Sequence, residues 1–570
     1  MDRILIFNDD GKTVTGVRNK SVTHITIPNS VTEIGKSTFS GCSSLQIIDI
    51  PNSVTKIGEW AFWGCTALRS IDIPNSVTEI GESAFRDCTA LQSIHIPNSV
   101  TEIGESAFRD CTALKEIRVD EGNSCFSSID GILFNKDHTT LIRIPIGKET
   151  EQYYLPNSVT KIGKSAFDGC TALQSIDIPN SVTEIGSGAF SGCTALQSID
   201  IPDSVTEIER YAFYGCAALQ SIDIPNSVTE IGTEAFRNCT ALQSIDIPNS
   251  VTKIGGGTFR GCTALQSIDI PNSVTEIGGW AFSGCTALQS IHIPNSVTEI
   301  GYDAFSGCSA LKEIHVGEGN PCYSSIDGIL FNKELTELIC MPIGKKVEHY
   351  SIPDSVTKIE GGAFVGCTTL QSINIPDSVT EIGGEAFGGC EALQSIDIPN
   401  SVTEIGYLAF SGCVALQSIH IPNSVKEIRD ETFVGCSALQ SIDIPNSVTK
   451  IGESAFHDCT ALLSIYIPNS VTEIGDEAFV GCTALQSIHI PDSITKIGYW
   501  AFFDCTTLKE IHCGIKAPEE KNSIGFVWDW YVCADDLYKN CVLYIPPGTR
   551  WAYRHHKVFG RFENIEIERD

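Results

Sequence analysis

Apolar and polar residues recur in one order every 23 residues through most of the chain. The unit Cys88–Asp110 reads CTALQSIHIPNSVTEIGESAFRD, and its apolar positions are Leu91, Ile94, Ile96, Val100, Ile103, Ala107 and Phe108, closed by Cys111. Ile94 and Ile96 alternate around His95, the period-2 signature of a strand, and Pro97 ends it because proline has no N–H to give to a ladder. Pro-Asn-Ser then predicts a turn, and Val-Thr-x-Ile a second extended piece rich in β-branched residues. Ser-Ala-Phe-x-x-Cys, too short for a full helix, predicts one helical or 3₁₀ turn on the far side. Eight such positions are too few for a core of their own. Each unit must bury them against its neighbours, which is the logic of a repeat solenoid.

Cysteines at 42, 65, 88 and 111, then 170 to 308 and 367 to 505 in steps of 23, mark eighteen copies. Leu recurs from Leu45 to Leu508 and Phe from Phe39 to Phe502. At β-ladder spacing of about 4.8 Å per rung, eighteen rungs predict an elongated, curved body on the order of 85 Å long. The pattern L-x-x-I-x-I-P-x-x-V-x-x-I-G-x-x-A-F-x-x-C resembles the BspA-like class of leucine-rich repeats over almost the whole chain. The expected fold is thus a leucine-rich-repeat solenoid with one parallel strand per 23-residue rung, short 3₁₀ or helical turns opposite, hairpin inserts and terminal caps. The resemblance implies a surface adhesion or interaction protein.

A larger block is duplicated as well. Leu-Lys-Glu-Ile replaces Leu-Gln-Ser-Ile at Leu114, Leu311 and Leu508, 197 residues apart, and the first two are followed by matching inserts, SSIDGILFNK from Ser127 and from Ser324. Each insert adds 36 residues to the Cys spacing and reads as a β-hairpin bulging from the rod. The expected divisions are an N-terminal cap (1–28), four repeats (29–114), an insert (115–156), seven repeats (157–311), a second insert (312–353), seven repeats (354–508) and a C-terminal cap (509–570). Residues 4–31 resemble the second half of an insert, and after Leu508 the sequence departs from the repeat.

The formal net charge of −32 argues against nucleic acid or an anionic membrane as partner. No apolar run reaches the ~18 residues of a membrane span, so membrane insertion is not expected. Met1-Asp2-Arg3-Ile4 leads directly into repeat-like sequence without a signal peptide, whereas the resemblance implies export. A cell-surface or secreted location and a cytoplasmic one both remain open. Eighteen of the 24 cysteines share one column, where side chains point the same way and are poorly directed for disulfides. They read as buried free thiols, small hydrophobes packed beside Phe. A Cys533–Cys541 disulfide is one option for the C-terminal segment.

No catalytic signature is present. Gly163-Lys164-Ser165 and Gly35-Lys36-Ser37 mimic the end of a phosphate-binding loop, but the required earlier glycine is Ser158 or Ser30. Catalysis needs unlike groups converging on one point, while a repeat sets like groups in rows, so an enzyme is not expected, nor any cofactor. His555-His556 reads as a solvated pair. The residue between the strand isoleucines gives an acidic column, Asp177, Asp200, Asp223, Asp246 and Asp269. Its carboxylates would repel or attract a cationic partner, but a flat row supplies too few oxygens for calcium. His292 with His315, and His489 with His512, are two-ligand sets at best, so no metal is assigned.

A second face varies freely. Between Ile-Gly and Ala-Phe, and just after Phe, stand Trp60, Trp63, Arg86, Arg109, Arg210, Tyr211, Tyr214, Arg237, Arg260, Trp280, Tyr302, Tyr407, Tyr499, Trp500 and Phe503. Tryptophan, tyrosine and arginine dominate binding hot spots, which makes these the candidate partner-binding residues, expected to form contiguous stripes. The expected function is non-enzymatic binding of a protein or other extended macromolecule; the resemblance implies host matrix or a cell surface. The alternative is a passive spacer or surface-layer component, in which these positions have simply drifted.

Overall fold

The computed structural model describes residues 4–516, 534–556 and 559–568. The chain forms two compact units, Met1–Leu288 with Glu299–Ala304, and Gln289–Thr298 with Phe305–Asp570. Both are β-solenoids whose successive turns lie 23 residues apart in sequence.

In the first unit Ser93–Ile96 pairs in parallel with Glu116–Val119, matching Ile94 with Ile117 and His95 with Arg118. The isoleucines are buried and the residue between them is exposed, as alternation requires. A second, shorter column is also laddered. Glu79–Ile80 pairs with Glu102–Ile103, in a six-stranded sheet that begins with Leu5–Phe7.

The third side is bonded between rungs too, where a self-contained turn was expected. Ser83, Phe85 and Asp87 donate their N–H groups to the carbonyls of Glu105, Ala107 and Arg109 in the next rung, at 2.9, 2.9 and 3.0 Å. The turn is held locally by Ala84 N–H to Gly81 O and Cys88 N–H to Phe85 O, so alternate N–H groups point within the rung and across it. Three hydrogen-bonded sides bring the rungs close. A Cβ on Gly81 would lie 2.6 Å from Gly58 C of the preceding rung, which explains the glycine after Ile.

Inside, the phenylalanines stack. Phe62 and Phe85 lie 5.2 Å apart and within 3° of parallel, and the ring ladder continues from Phe167 to Phe282. Where a repeat precedes it directly, the cysteine thiol donates backward, as Cys88 Sγ does to Phe62 O and Cys216 Sγ to Phe190 O, both at 3.2 Å. The column therefore supplies a weak donor as well as packing volume. Burial pushes the Cys216 thiol up to about 12, so these sulfurs stay protonated and inert.

The first insert contains the expected hairpin, Phe126–Ile129 with Ile132–Asn135, extended by an antiparallel third strand, Thr140–Arg143. That third strand pairs in parallel with Lys161–Ile162, and Gln152–Tyr154 pairs with Ser175–Asp177. The insert thus re-enters both ladders as an extra rung. Residues 5–26 follow the same plan, with Leu5–Phe7 antiparallel to Thr13–Val17 and His24–Thr26 parallel to Ile47–Asp49.

In the second unit the insert recurs as Tyr323–Ile326, Ile329–Asn332 and Glu337–Cys340. Beyond the repeats, Glu510–Cys513 pairs with Val542–Ile545, and that strand with Asn564–Ile567, all in parallel. Two short helices, Ala534–Asn540 and Arg550–His555, lie between these strands in sequence. The ladder continues although the repeat has gone. Cys541 is a buried free thiol; Cys533 lies outside the described residues. The expected solvated histidine pair is only half right: His555 is exposed, but His556 is 7% exposed, its ring 5.0 Å from Phe559. Among the described residues no helix is long and apolar enough to cross a membrane.

Candidate functional site

The turn side carries two columns of left-handed backbone, and they are filled by different rules. The residue before each cysteine of the column has φ between 57° and 77° in every repeat and is always Gly, Asp or Asn, the types that tolerate that conformation. The residue before Ala-Phe or Thr-Phe is left-handed in every repeat too, yet it is Trp60 (φ 52°), Tyr211 (60°), Trp280 (55°), Leu408 (55°) and Trp500 (52°), with Ser, Glu, Asp or Gly elsewhere. Holding an ordinary residue there costs about 1–2 kcal/mol. Backbone demand alone would fill both columns alike.

The candidate residues gather in clusters, not in the unbroken stripes expected: the rungs of Ser187 and Gly188, of Gly361 and Gly384, and of Glu431, Ser454 and Glu477 carry none of them. Trp60 lies under Lys36 Nζ, 4.4 Å from the ring centroid, and Trp63 Nε1 donates to Asp87 Oδ2 at 2.6 Å. Arg86 Nε reaches Asp110 Oδ2 at 3.3 Å. Trp280 meets Tyr302 edge-on at 6.0 Å, and Trp500 meets Phe503 at 6.3 Å. Tyr407 lies over Gly384, where a Cβ would come within 2.8 Å of its ring. Tyr499 is exposed, Arg210 is exposed with its carbonyl accepting from Gly188 N–H, and Arg260 is half-buried.

Four candidates meet at an open notch of about 370 Å³ in the first unit. Its floor is a run of small residues, Ser165, Ser187, Gly188 and Ser191. On one side, Arg109 Nε sits 2.8 Å from Oδ2 of Asp168, a charge contact without aligned hydrogen-bond geometry. Behind it Arg143, 6% exposed, donates to the Ser165 and Asp168 carbonyls. On the other side Arg237 Nη1 donates to Glu234 Oε2 at 2.8 Å, and its guanidinium lies 5.6 Å from the Tyr214 ring centroid. Tyr211 and Tyr214 stand edge to face at 6.2 Å. Asp168 and Arg143 were missed in the sequence because the insert separates Arg109 from its spatial neighbour, and Glu234 because it shares the freely varying column with Ser and Glu residues elsewhere. The signal available was that Asp168 is the one acid directly after a repeat phenylalanine and that Arg143 stands where the second insert has Cys340.

The strand face holds Asp177, Asp200, Asp223, Asp246 and Asp269, all exposed, with parallel bridges linking the last four in succession. Asp49, in the same column, is held below the usual carboxylate value by hydrogen bonds from His24 and Thr26. His292 pairs in register with His315, and His512 Nδ1 lies 2.8 Å from Glu568 Oε1. Among the described residues no group of three or more His, Cys, Asp or Glu is arranged to hold a metal. In the second unit Asp354, Asp377, Asp397, Asn400 and His420 line a shallow groove of about 620 Å³ beside this face.

A model of the BspA type leucine rich repeat region (6 copies) matches residues 17–138, 147–264, 229–343, 343–463 and 426–525. Among solved structures, the chain is similar to a leucine-rich repeat protein from Eubacterium ventriosum, at 30% identity over 54% of this chain and 83% of that one, with a TM-score of 0.51. It is also similar to a leucine-rich repeat protein from Bacteroides ovatus, at 32% identity over 71% of this chain and 96% of that one, with a TM-score of 0.42. No curated protein matches it.

Proposed function

Because the chain belongs to the BspA-type leucine-rich repeat family, we propose that it is a non-enzymatic binding protein that holds an extended macromolecular partner, a protein or a cell surface, across its turn side. The contrast between the two left-handed columns carries this reading. Where only the backbone matters, before each cysteine, the sequence uses Gly, Asp and Asn without exception. One turn earlier, in the same left-handed backbone, it keeps Trp, Tyr and Leu at a cost of about 1–2 kcal/mol, with Trp280 45% and Trp500 44% exposed. Solvent gives nothing back for an exposed indole in a strained conformation; a partner's surface does. Clusters repeated along a stack suit a partner engaged at several points, each contact raising the effective concentration of the next. Export to the cell surface goes with this reading.

The test is adhesion of the intact chain to immobilised extracellular matrix and to whole cells, beside a variant carrying Trp60→Ser, Trp63→Ser, Trp280→Ser and Trp500→Ser. At least a tenfold loss of adhesion is expected, at the scale of a hot-spot residue, about 2 kcal/mol. Equal adhesion by both chains would make the molecule a passive spacer.

A further inference from the structure

We propose that the notch floored by Ser187 and Gly188 and walled by Tyr211 and Tyr214 is a saccharide site that takes one or two pyranose rings. The inference rests on the turn side being a recognition surface, and names the ligand of one cluster on it.

The notch is not a by-product of the fold. The second unit carries the same scaffold 197 residues on, where Arg109, Asp168, Tyr211, Tyr214 and Arg237 are replaced by Ser306, Val365, Leu408, Ser411 and Val434. One copy of the scaffold keeps the whole set and the other keeps none of these five. The depression arises from side-chain size: the rung of Ser187, Gly188 and Ser191 sits between that of Ser165 and Asp168 and that of Tyr211 and Tyr214, with Arg109 reaching in beside Asp168.

The lining selects among ligands by exclusion. Each wall is an ion pair, Arg109 with Asp168 and Arg237 with Glu234, so the site has no net charge with which to choose a cation or an anion. No aliphatic side chain lines it, so an apolar anchor would find nothing to bury against. What remains is a matched set of donors and acceptors next to aromatic rings: serine hydroxyls on the floor, carboxylates and guanidiniums at the sides, and two phenols set edge to face at 6.2 Å. A pyranose has the complementary chemistry. Its vicinal hydroxyls donate and accept at once, satisfying planar carboxylate and guanidinium groups in pairs, and its C–H face packs on an aromatic ring. The volume of about 370 Å³ suits one or two such rings, and the open mouth lets a longer chain continue beyond them. Bound sugar rests on groups already held in place by their ion pairs, so little order must be imposed on binding.

The intact chain is tested by saturation-transfer difference NMR against methyl α- and β-pyranosides of glucose, galactose, mannose and N-acetylglucosamine and the β-linked disaccharides built from them. The comparison chain carries Tyr211→Leu and Tyr214→Ser, residues that the second unit accommodates at the same places; a second control carries Trp280→Ser, outside the notch. Saturation of at least one saccharide is expected, abolished in the tyrosine variant and retained in Trp280→Ser. The proposal is overturned if no member of the panel saturates, if the signal survives loss of both tyrosines, or if a peptide rather than a sugar competes for the notch. Loss of matrix adhesion in the four-tryptophan variant with sugar binding intact would separate the two readings.

Discussion

The junctions after the two inserts share one backbone and differ in chemistry. Ile144 N–H donates to Ala166 O at 2.9 Å, as Met341 N–H does to Ala363 O at 2.8 Å; Gly147 and Gly344 reach Leu114 and Leu311 at 2.8 Å each. Buried Asn123 and Asn320 bridge equivalent carbonyls of the preceding rung at identical distances, 2.8 and 2.9 Å. Yet the first junction buries a charged set, Arg143 and Asp168 with Arg109 at its edge, where the second has Cys340, Val365 and Ser306. Interior columns and backbone bonds specify the fold, and the turn-side residues are free to specialise.

Interior substitutions should therefore act alike in both copies. Phe213→Ala and Phe410→Ala each remove a fully buried ring stacked on both sides, at 5.4 and 5.3 Å and at 5.4 and 5.6 Å. Each should cost about 4 kcal/mol, read by denaturant unfolding. A difference of more than about 1.5 kcal/mol between them would mean that the two copies are not packed by one rule.

Junction substitutions should not act alike. Asp168→Val alone leaves the Arg109 guanidinium, 35% exposed, without the acid 2.8 Å from it and should cost about 1–2 kcal/mol. Combined with Arg143→Cys and Arg109→Ser, which restores the second junction's composition, the same change should cost less than about 1 kcal/mol, because an ion cluster and a packed apolar set of equal shape are close in energy. Additive losses in thermal melts would show that the charges stabilise the fold.

Most of the architecture was legible in the sequence because a 23-residue period copies every packing decision eighteen times. Ile94-His95-Ile96 could be read as a strand since its alternation is local. The bonded third side could not, because Phe85 N–H finds its partner at Ala107, in another copy, and no period-2 pattern marks it. The left-handed columns had a visible trace in the invariable Gly, Asp or Asn before cysteine, whereas Trp60 and Trp280 conceal the same geometry behind a side chain that does not favour it. The notch was hidden because Arg109 and Asp168 are brought together by an intervening insert rung.

The left-handed columns give the smallest effects. Gly435→Ala, at φ 72° with no atom of Gly412 closer than 3.8 Å to the new Cβ, meets strain without a clash and should cost about 1 kcal/mol. Glu431→Gly, left-handed at φ 56° and exposed, should gain a few tenths to about 1 kcal/mol. Equilibrium unfolding distinguishes the two signs.

Native-state hydrogen exchange of a chain carrying Arg109→Ser, Arg143→Cys, Asp168→Val, Tyr211→Leu, Tyr214→Ser and Arg237→Val asks most directly whether the turn side is free of folding duty. The amides of Phe190, Phe213 and Phe236, which donate to Ala212, Ala235 and Thr258 of the next rungs, should keep their protection within about tenfold, about 1.4 kcal/mol. Collapse of that protection would contradict it, assigning to stability the residues read here as recognition.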